Sequence, residues 1–139
     1  MKTKHKAKQK IYCFGNLDLK DDRSALDIAD ILSKENDLKQ FEFIKCTSPD
    51  FLLTEEVPDQ LIIIDVVKDI KDIKLITDID DIKHTKTTSV HDFDLANTLK
   101  LLKSLGKLDK VVIIGIPYAK KIDKKDIELI IRLVSSSIH

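Results

Sequence analysis

The sequence predicts an α/β protein: a three-layer α/β/α sandwich around a mostly parallel five-stranded sheet. Two observations carry that expectation. Leu61-Ile62-Ile63-Ile64 and Val111-Val112-Ile113-Ile114 are unbroken, mostly β-branched runs, the pattern of parallel strands buried on both faces. Stretches with apolar residues at helical spacing alternate with such runs along the chain, which is the order of crossover units.

Taken in order, Ile11-Tyr12-Cys13-Phe14 reads as a short buried strand stopped by the turn signal Gly15-Asn16. Leu17 to Arg23 is polar and acidic and reads as a loop. Ser24 then stands as a helix N-cap with Asp27 at the third position, and Ala25, Ile28, Ala29 and Leu32 form one apolar stripe. Asn36 and Asp37 are expected to end that helix. Phe41 to Cys46 alternates apolar with polar residues, as a half-buried strand does. Ser48-Pro49 closes it, and Phe51-Leu52-Leu53 reads as a short helix or turn.

The Leu61 to Ile64 strand is expected to end on Asp65. Ile73 to Thr77 is a weaker strand suited to a sheet edge. Asp92 or Asp94 can cap the next helix, whose Leu95, Leu99, Leu102 and Leu105 would face the core, with Gly106 as the residue that ends it. Val111 to Ile114 is a second central strand, stopped by Gly115-Ile116-Pro117. The last helix starts near Asp123 and buries Ile127, Ile130, Ile131 and Val134.

Residues 1–139 are expected to form one domain, with 1–9 a disordered basic tail. No internal repeat or linker is visible; the Lys-Asp-Ile pattern from Lys68 to Lys83 is compositional. Lys and Arg number 24 and Asp and Glu also 24, so the chain carries no net charge and lacks the basic bias of a nucleic-acid binder. With no Trp and only two Tyr, it is also poorly supplied with base-stacking rings. Two cysteines, Cys13 and Cys46, are too few for a disulfide framework and read as small buried hydrophobes. No apolar run approaches the roughly 18 residues of a membrane span, and none follows the basic start as a secretory signal requires. A cytoplasmic, non-membrane, monomeric protein is the expectation.

Ligands in open α/β sheets bind beyond the carboxyl ends of the strands. Three candidates fall there: Asp22 in the loop after the first strand, Asp65 at the end of the third, and His91 just before the following helix. Asp22 also suits the N-terminal dipole of the helix after it. Asp65 is the hardest to read as ordinary, because a carboxylate following an apolar strand is costly to bury unless paired or coordinated. Two carboxylates and an imidazole make an O/O/N set suited to a divalent first-row metal, with positions left open. No nucleophilic triad and no glycine-rich phosphate loop accompanies them.

Four segments carry a resemblance. Gly15-Asn16-Leu17-Asp18-Leu19-Lys20-Asp21-Asp22 resembles the glycine-asparagine segment and acidic pair that open the hydrogenase maturation endopeptidases. Leu61 to Val67 is similar to their hydrophobic strand ending in aspartate, Thr88-Ser89-Val90-His91-Asp92-Phe93-Asp94-Leu95 to their small-hydroxyl, histidine and helix segment, and Val112 to Pro117 to their final strand. The segments keep the family's order and span almost the whole chain. The resemblance implies an endopeptidase that removes the C-terminal extension of a [NiFe] hydrogenase large-subunit precursor after nickel insertion. It further implies that Asp22, Asp65 and His91 are the metal-contacting and catalytic residues. The nickel would arrive with the substrate as the recognition signal, and other divalent metals can occupy such a site. Arg23 and Ala25 stand where the family usually has glycine, so the loop facing the substrate is expected to be shaped differently.

A competing reading is a receiver-like phospho-acceptor domain. Pro58 to Val66 resembles the strand bearing a receiver's phosphorylated aspartate, here Asp65, with Asp21-Asp22 as an acidic pair and Lys120 as the lysine. Receivers place the acidic pair directly at the end of the first strand, whereas Gly15, Asn16 and further residues intervene here.

Overall fold

The computed structural model describes residues 8–15, 24–47, 51–54, 58, 60–67, 70–78 and 90–137, and for residues 90–94 the backbone alone. Five strands form one sheet: β1 (Gln9–Phe14), β2 (Phe41–Cys46), β3 (Gln60–Val67), β4 (Lys74–Ile76) and β5 (Lys110–Pro117). Their order across the sheet is β2-β1-β3-β5-β4. β1, β2, β3 and β5 run parallel, and β4 pairs antiparallel with β5. This is the expected mostly parallel five-stranded sheet, with the weak Lys/Asp/Ile-rich strand at an edge. β4 ends the order that a receiver-like sheet completes with parallel strands in the sequence 2-1-3-4-5.

Among the described residues four helices cover the faces: α1 (Ser24–Leu32), the single-turn α2 (Phe51–Thr54), α3 (Val90–Ser104) and α4 (Lys124–Ser136). Strand side chains alternate between faces, and two apolar cores result. Tyr12, Phe14, Ile63, Val67 and Ile113 pack with Leu52 of α2 and Leu95, Ala96, Leu99 and Leu102 of α3. Ile11, Cys13, Ile62, Ile64, Val66, Ile114 and Ile116 pack with Ala25, Ile28, Ala29 and Leu32 of α1 and Ile130 and Val134 of α4. β3 is buried from Leu61 to Val67, as a central strand covered on both sides must be.

Several boundaries differ from the sequence expectation, each for a local reason. β1 begins at Gln9, within the stretch expected as tail, because the Gln9 amide donates to the Gln40 carbonyl at 3.0 Å and extends the ladder to β2. α1 stops at Leu32, earlier than Asn36, and Asn36–Leu38 form a separate 3-10 turn that buries Leu38. β3 does not end on Asp65; it runs on through Val66 and Val67, which pair with Ile116 and Pro117. β5 likewise continues through Gly115 and Ile116 to Pro117. The proline adds no ladder donor, which a strand's last residue can spare.

The C-terminus of α3 follows the expected chemistry. Gly106 takes φ +73°, its amide donates to the Lys103 carbonyl, and the Lys107 amide donates to the Leu102 carbonyl. That reciprocal pair is a Schellman cap, which needs a left-handed residue. Leu105 departs from expectation: it is 57% exposed, because the helix ends at Ser104 and the cap turns the chain away from the core. α4 begins where expected, with Asp123 accepting from the Asp126 amide at 2.9 Å and Asp126 accepting from the Asp123 amide at 3.0 Å. Of the four residues expected to bury on α4, Ile130 and Val134 are fully enclosed, while Ile127 and Ile131 are half-buried at its margin.

Candidate functional site

Asp65 lies inside the central strand and is completely buried. Its α-carbon pairs with Phe14, the last residue of β1, on one side and with Gly115 of β5 on the other. Strand alternation puts it on the same face as Ile63 and Val67, the face covered by α3. The carboxylate therefore sits where β1 stops and β3 continues, at the carboxyl edge of the sheet. A charge held there among Ile, Val and Phe side chains carries a desolvation cost of several kcal/mol unless partners offset it.

Gly115, expected from the sequence as a strand stop, lies within β5 as the neighbour of Asp65. A Cβ built on it would lie 3.1 Å from Ile70 Cδ1, 3.3 Å from Ile76 Cδ1 and 3.4 Å from Val67 Cγ2. The missing side chain thus makes room for Ile70 and Ile76 to close over β5 beside Asp65. A glycine within an otherwise β-branched run signals this kind of close approach, and it was the available clue.

His91 belongs to the first turn of α3, one residue past its start at Val90. This corrects the expectation that it precedes the helix and that Asp92 or Asp94 caps it; both aspartates lie within α3. The helix is followed by a short connection into β5, which starts at the amino edge of the sheet. Its N-terminal turn therefore lies toward the carboxyl edge, the same edge and the same face as Asp65. The side chain of His91 and the whole of Asp22, Arg23 and the loop carrying them lie outside the described residues. Ala25 is described: it is fully buried in α1 and belongs to the core. Among the described residues, no group of three or more His, Cys, Asp and Glu could hold a metal ion.

Neither cysteine has the setting of a reactive thiol. Cys13 and Cys46 are buried and not joined in a disulfide, and burial pushes the Cys13 thiol far up, with the nearby Cys46 and Asp30 adding to the shift. A thiol so placed stays protonated and is a poor nucleophile.

Residues 46–135, more than half of the chain, match the family model described as HycI, hydrogenase maturation protease. Asp65 and His91 fall within the matched residues and Asp22 outside them. No curated protein matches. Among solved structures, the chain is similar to the hydrogenase maturating endopeptidase HybD from E. coli. That likeness has a TM-score of 0.70 at 18% identity and covers 94% of this chain and 91% of the other. It is also similar to the [NiFe] hydrogenase maturation protease HycI from Thermococcus kodakarensis, with a TM-score of 0.59 at 16% identity, covering 95% and 92%. A third likeness is to the hydrogenase 2 maturation peptidase from Thaumarchaeota archaeon SCGC_AB-539-E09, with a TM-score of 0.57 at 18% identity, covering 94% and 97%. At these identities the likenesses speak to the fold.

Proposed function

Because the chain belongs to the hydrogenase maturation protease family, we propose that its substrate is a [NiFe] hydrogenase large-subunit precursor already loaded with nickel. The chain is an endopeptidase of that family, and the reaction is removal of the precursor's C-terminal extension. The family match does not support the receiver-like alternative. In the proposed complex Asp22, Asp65 and His91 complete the coordination of nickel that the precursor already holds. The single observation that carries this reading is a fully buried carboxylate, Asp65, inside the matched residues and on the face covered by α3, whose first turn includes His91.

The chemistry is coherent. Two carboxylates and one imidazole hold a borderline ion weakly by themselves, since no thiolate is among them. The precursor brings the metal, so the protease need only fill vacant positions. Recognition then depends on nickel being present, and the scissile bond is held beside a Lewis acid. Among the described residues no helix is long and apolar enough to cross a membrane. A cytoplasmic monomer that meets the precursor there fits this reading.

The test is processing of nickel-loaded and nickel-free precursor by the wild type and by Asp65→Asn and His91→Ala. Losing groups that merely support a metal ligand costs roughly 10–100-fold, so losing a ligand itself should cost at least that. Wild type should cleave only loaded precursor, and both variants should stall while keeping the native circular dichroism spectrum. Cleavage of nickel-free precursor, or full activity in both variants, would overturn the assignment.

A further inference from the structure

The turn that leaves β5 is strained, and it carries a part-exposed tyrosine, Tyr118, at the carboxyl edge of the sheet, the edge at which Asp65 lies. Ala119 takes φ +62°, and among the described residues it is the one non-glycine in the left-handed region. The Lys120 amide donates to the Pro117 carbonyl at 3.2 Å, closing a four-residue turn with Tyr118 and Ala119 at its centre. A positive φ at the third position is where such turns ordinarily carry glycine. Alanine there costs about 1–2 kcal/mol, and such strain persists only where the surroundings enforce it.

The surroundings do so from both sides. The Tyr118 amide donates to the Val67 carbonyl at 3.2 Å, tying the turn to β3 two residues beyond Asp65. At about 3.3 Å per strand residue, that anchor lies roughly 7 Å along the strand from the buried carboxylate. On the other side Lys120 Nζ lies 3.6 Å from Asp126 Oδ2, and Asp126 is itself fixed by the reciprocal cap with Asp123. The turn is clamped between the site strand and the start of α4. What it presents is Tyr118, 40% exposed although large and aromatic.

We infer that Tyr118 is a substrate-positioning residue: its ring is a fixed platform for the extended peptide that flanks the scissile bond. This rests on the processing function proposed above. An aromatic ring on a rigid turn offers apolar contact to a peptide chain at little cost in side-chain entropy, since it has two rotatable bonds. Ala119 serves the same end, because alanine in this conformation permits fewer alternative turn shapes than glycine would.

The experiment is steady-state processing of the nickel-loaded precursor by wild type, Tyr118→Ala and Tyr118→Phe. Loss of one aromatic contact should raise KM about tenfold in Tyr118→Ala with kcat unchanged, and phenylalanine should restore it. A second readout covers a poorly folding alanine variant. The chain has no Trp and two Tyr, and Tyr12 is fully buried, so tetranitromethane should nitrate Tyr118 first in the wild type. Bound precursor should slow that nitration. An unchanged KM in a folded Tyr118→Ala, or undiminished nitration with precursor bound, overturns the role of Tyr118. If wild type neither binds nor cleaves the loaded precursor, the proposed function fails and this inference with it. If wild type cleaves normally with Tyr118 unprotected, the inference about Tyr118 alone is lost.

Discussion

Asp65 and Gly115 are direct partners across the two central strands, and each limits what the other position tolerates. Adding one methyl at Gly115 would press on the ends of Ile70 and Ile76, at 3.1 and 3.3 Å, which are flexible enough to give by a few tenths of an ångström. Gly115→Ala should therefore cost about 1 kcal/mol or less, and the bulkier Gly115→Val about 1–3 kcal/mol. Urea unfolding with an unchanged m-value is the measurement. The buried cysteines allow a second prediction at this scale. With the Cys13 thiol protonated and Cys46 enclosed, both should resist an aromatic disulfide reagent in the native protein and react promptly in urea. Fast labelling without denaturant would contradict the packing of β1 and β2. The buried candidate acid Asp65 stands out in the sequence because a charge amid β-branched residues has few ordinary explanations. The extent of its strand does not. Aspartate is disfavoured in strands, so it looked like an end, while Val66 and Val67 carried the contrary signal of continued burial.

Among the elements, α3 shows what periodicity can and cannot place. Leu95, Leu99 and Leu102 lie on its buried stripe, and Leu105 continues the same spacing on paper. The Schellman cap at Gly106 ends the helix before the spacing applies, so Leu105 turns outward. Leu99→Ala should cost about 2–5 kcal/mol by leaving a cavity, whereas Leu105→Ala should stay within about 0.5 kcal/mol. Thermal or urea unfolding of the two variants gives the comparison. The start of α3 is hard to place from sequence because Asp92 and Asp94 are favourable both as caps and within a helix's opening residues, and composition does not separate the two roles. At α4 the cap is explicit. The Asp126 amide donates to Asp123 and holds its carboxyl below the usual value of 3.8. A carboxyl lowered by folding stabilises the native state above its unfolded value. That contribution fades as pH falls below 3.8 and through the lowered value. Asp123→Asn keeps the acceptor but cannot titrate. Its acid unfolding curve should be shallower than that of wild type over this range when followed by circular dichroism.

For the molecule as a whole, the α/β class and the parallel sheet were readable because crossover units leave so few arrangements open. The lateral placement of β4 was less so. Its edge character follows from its charge-rich composition, but its antiparallel direction depends on β5, a partner far along the chain. That placement has a consequence for synthesis. As the chain leaves the ribosome, β1, β2 and β3 can assemble from residues already present. β4 emerges next with nothing to pair with, since β5 lies between it and β3 in the sheet. The open side of β3 then waits for eight residue pairs that only β5 supplies. Nascent chains stalled with residues up to 109 exposed should remain sensitive to protease through the β4 segment. Chains stalled with residue 117 and the rest of β5 clear of the exit tunnel should acquire resistance in one step. Resistance of β4 before β5 appears would mean that it pairs elsewhere first. Until then the growing chain exposes an unpaired hydrophobic strand edge, the kind of surface that chaperones at the tunnel exit bind.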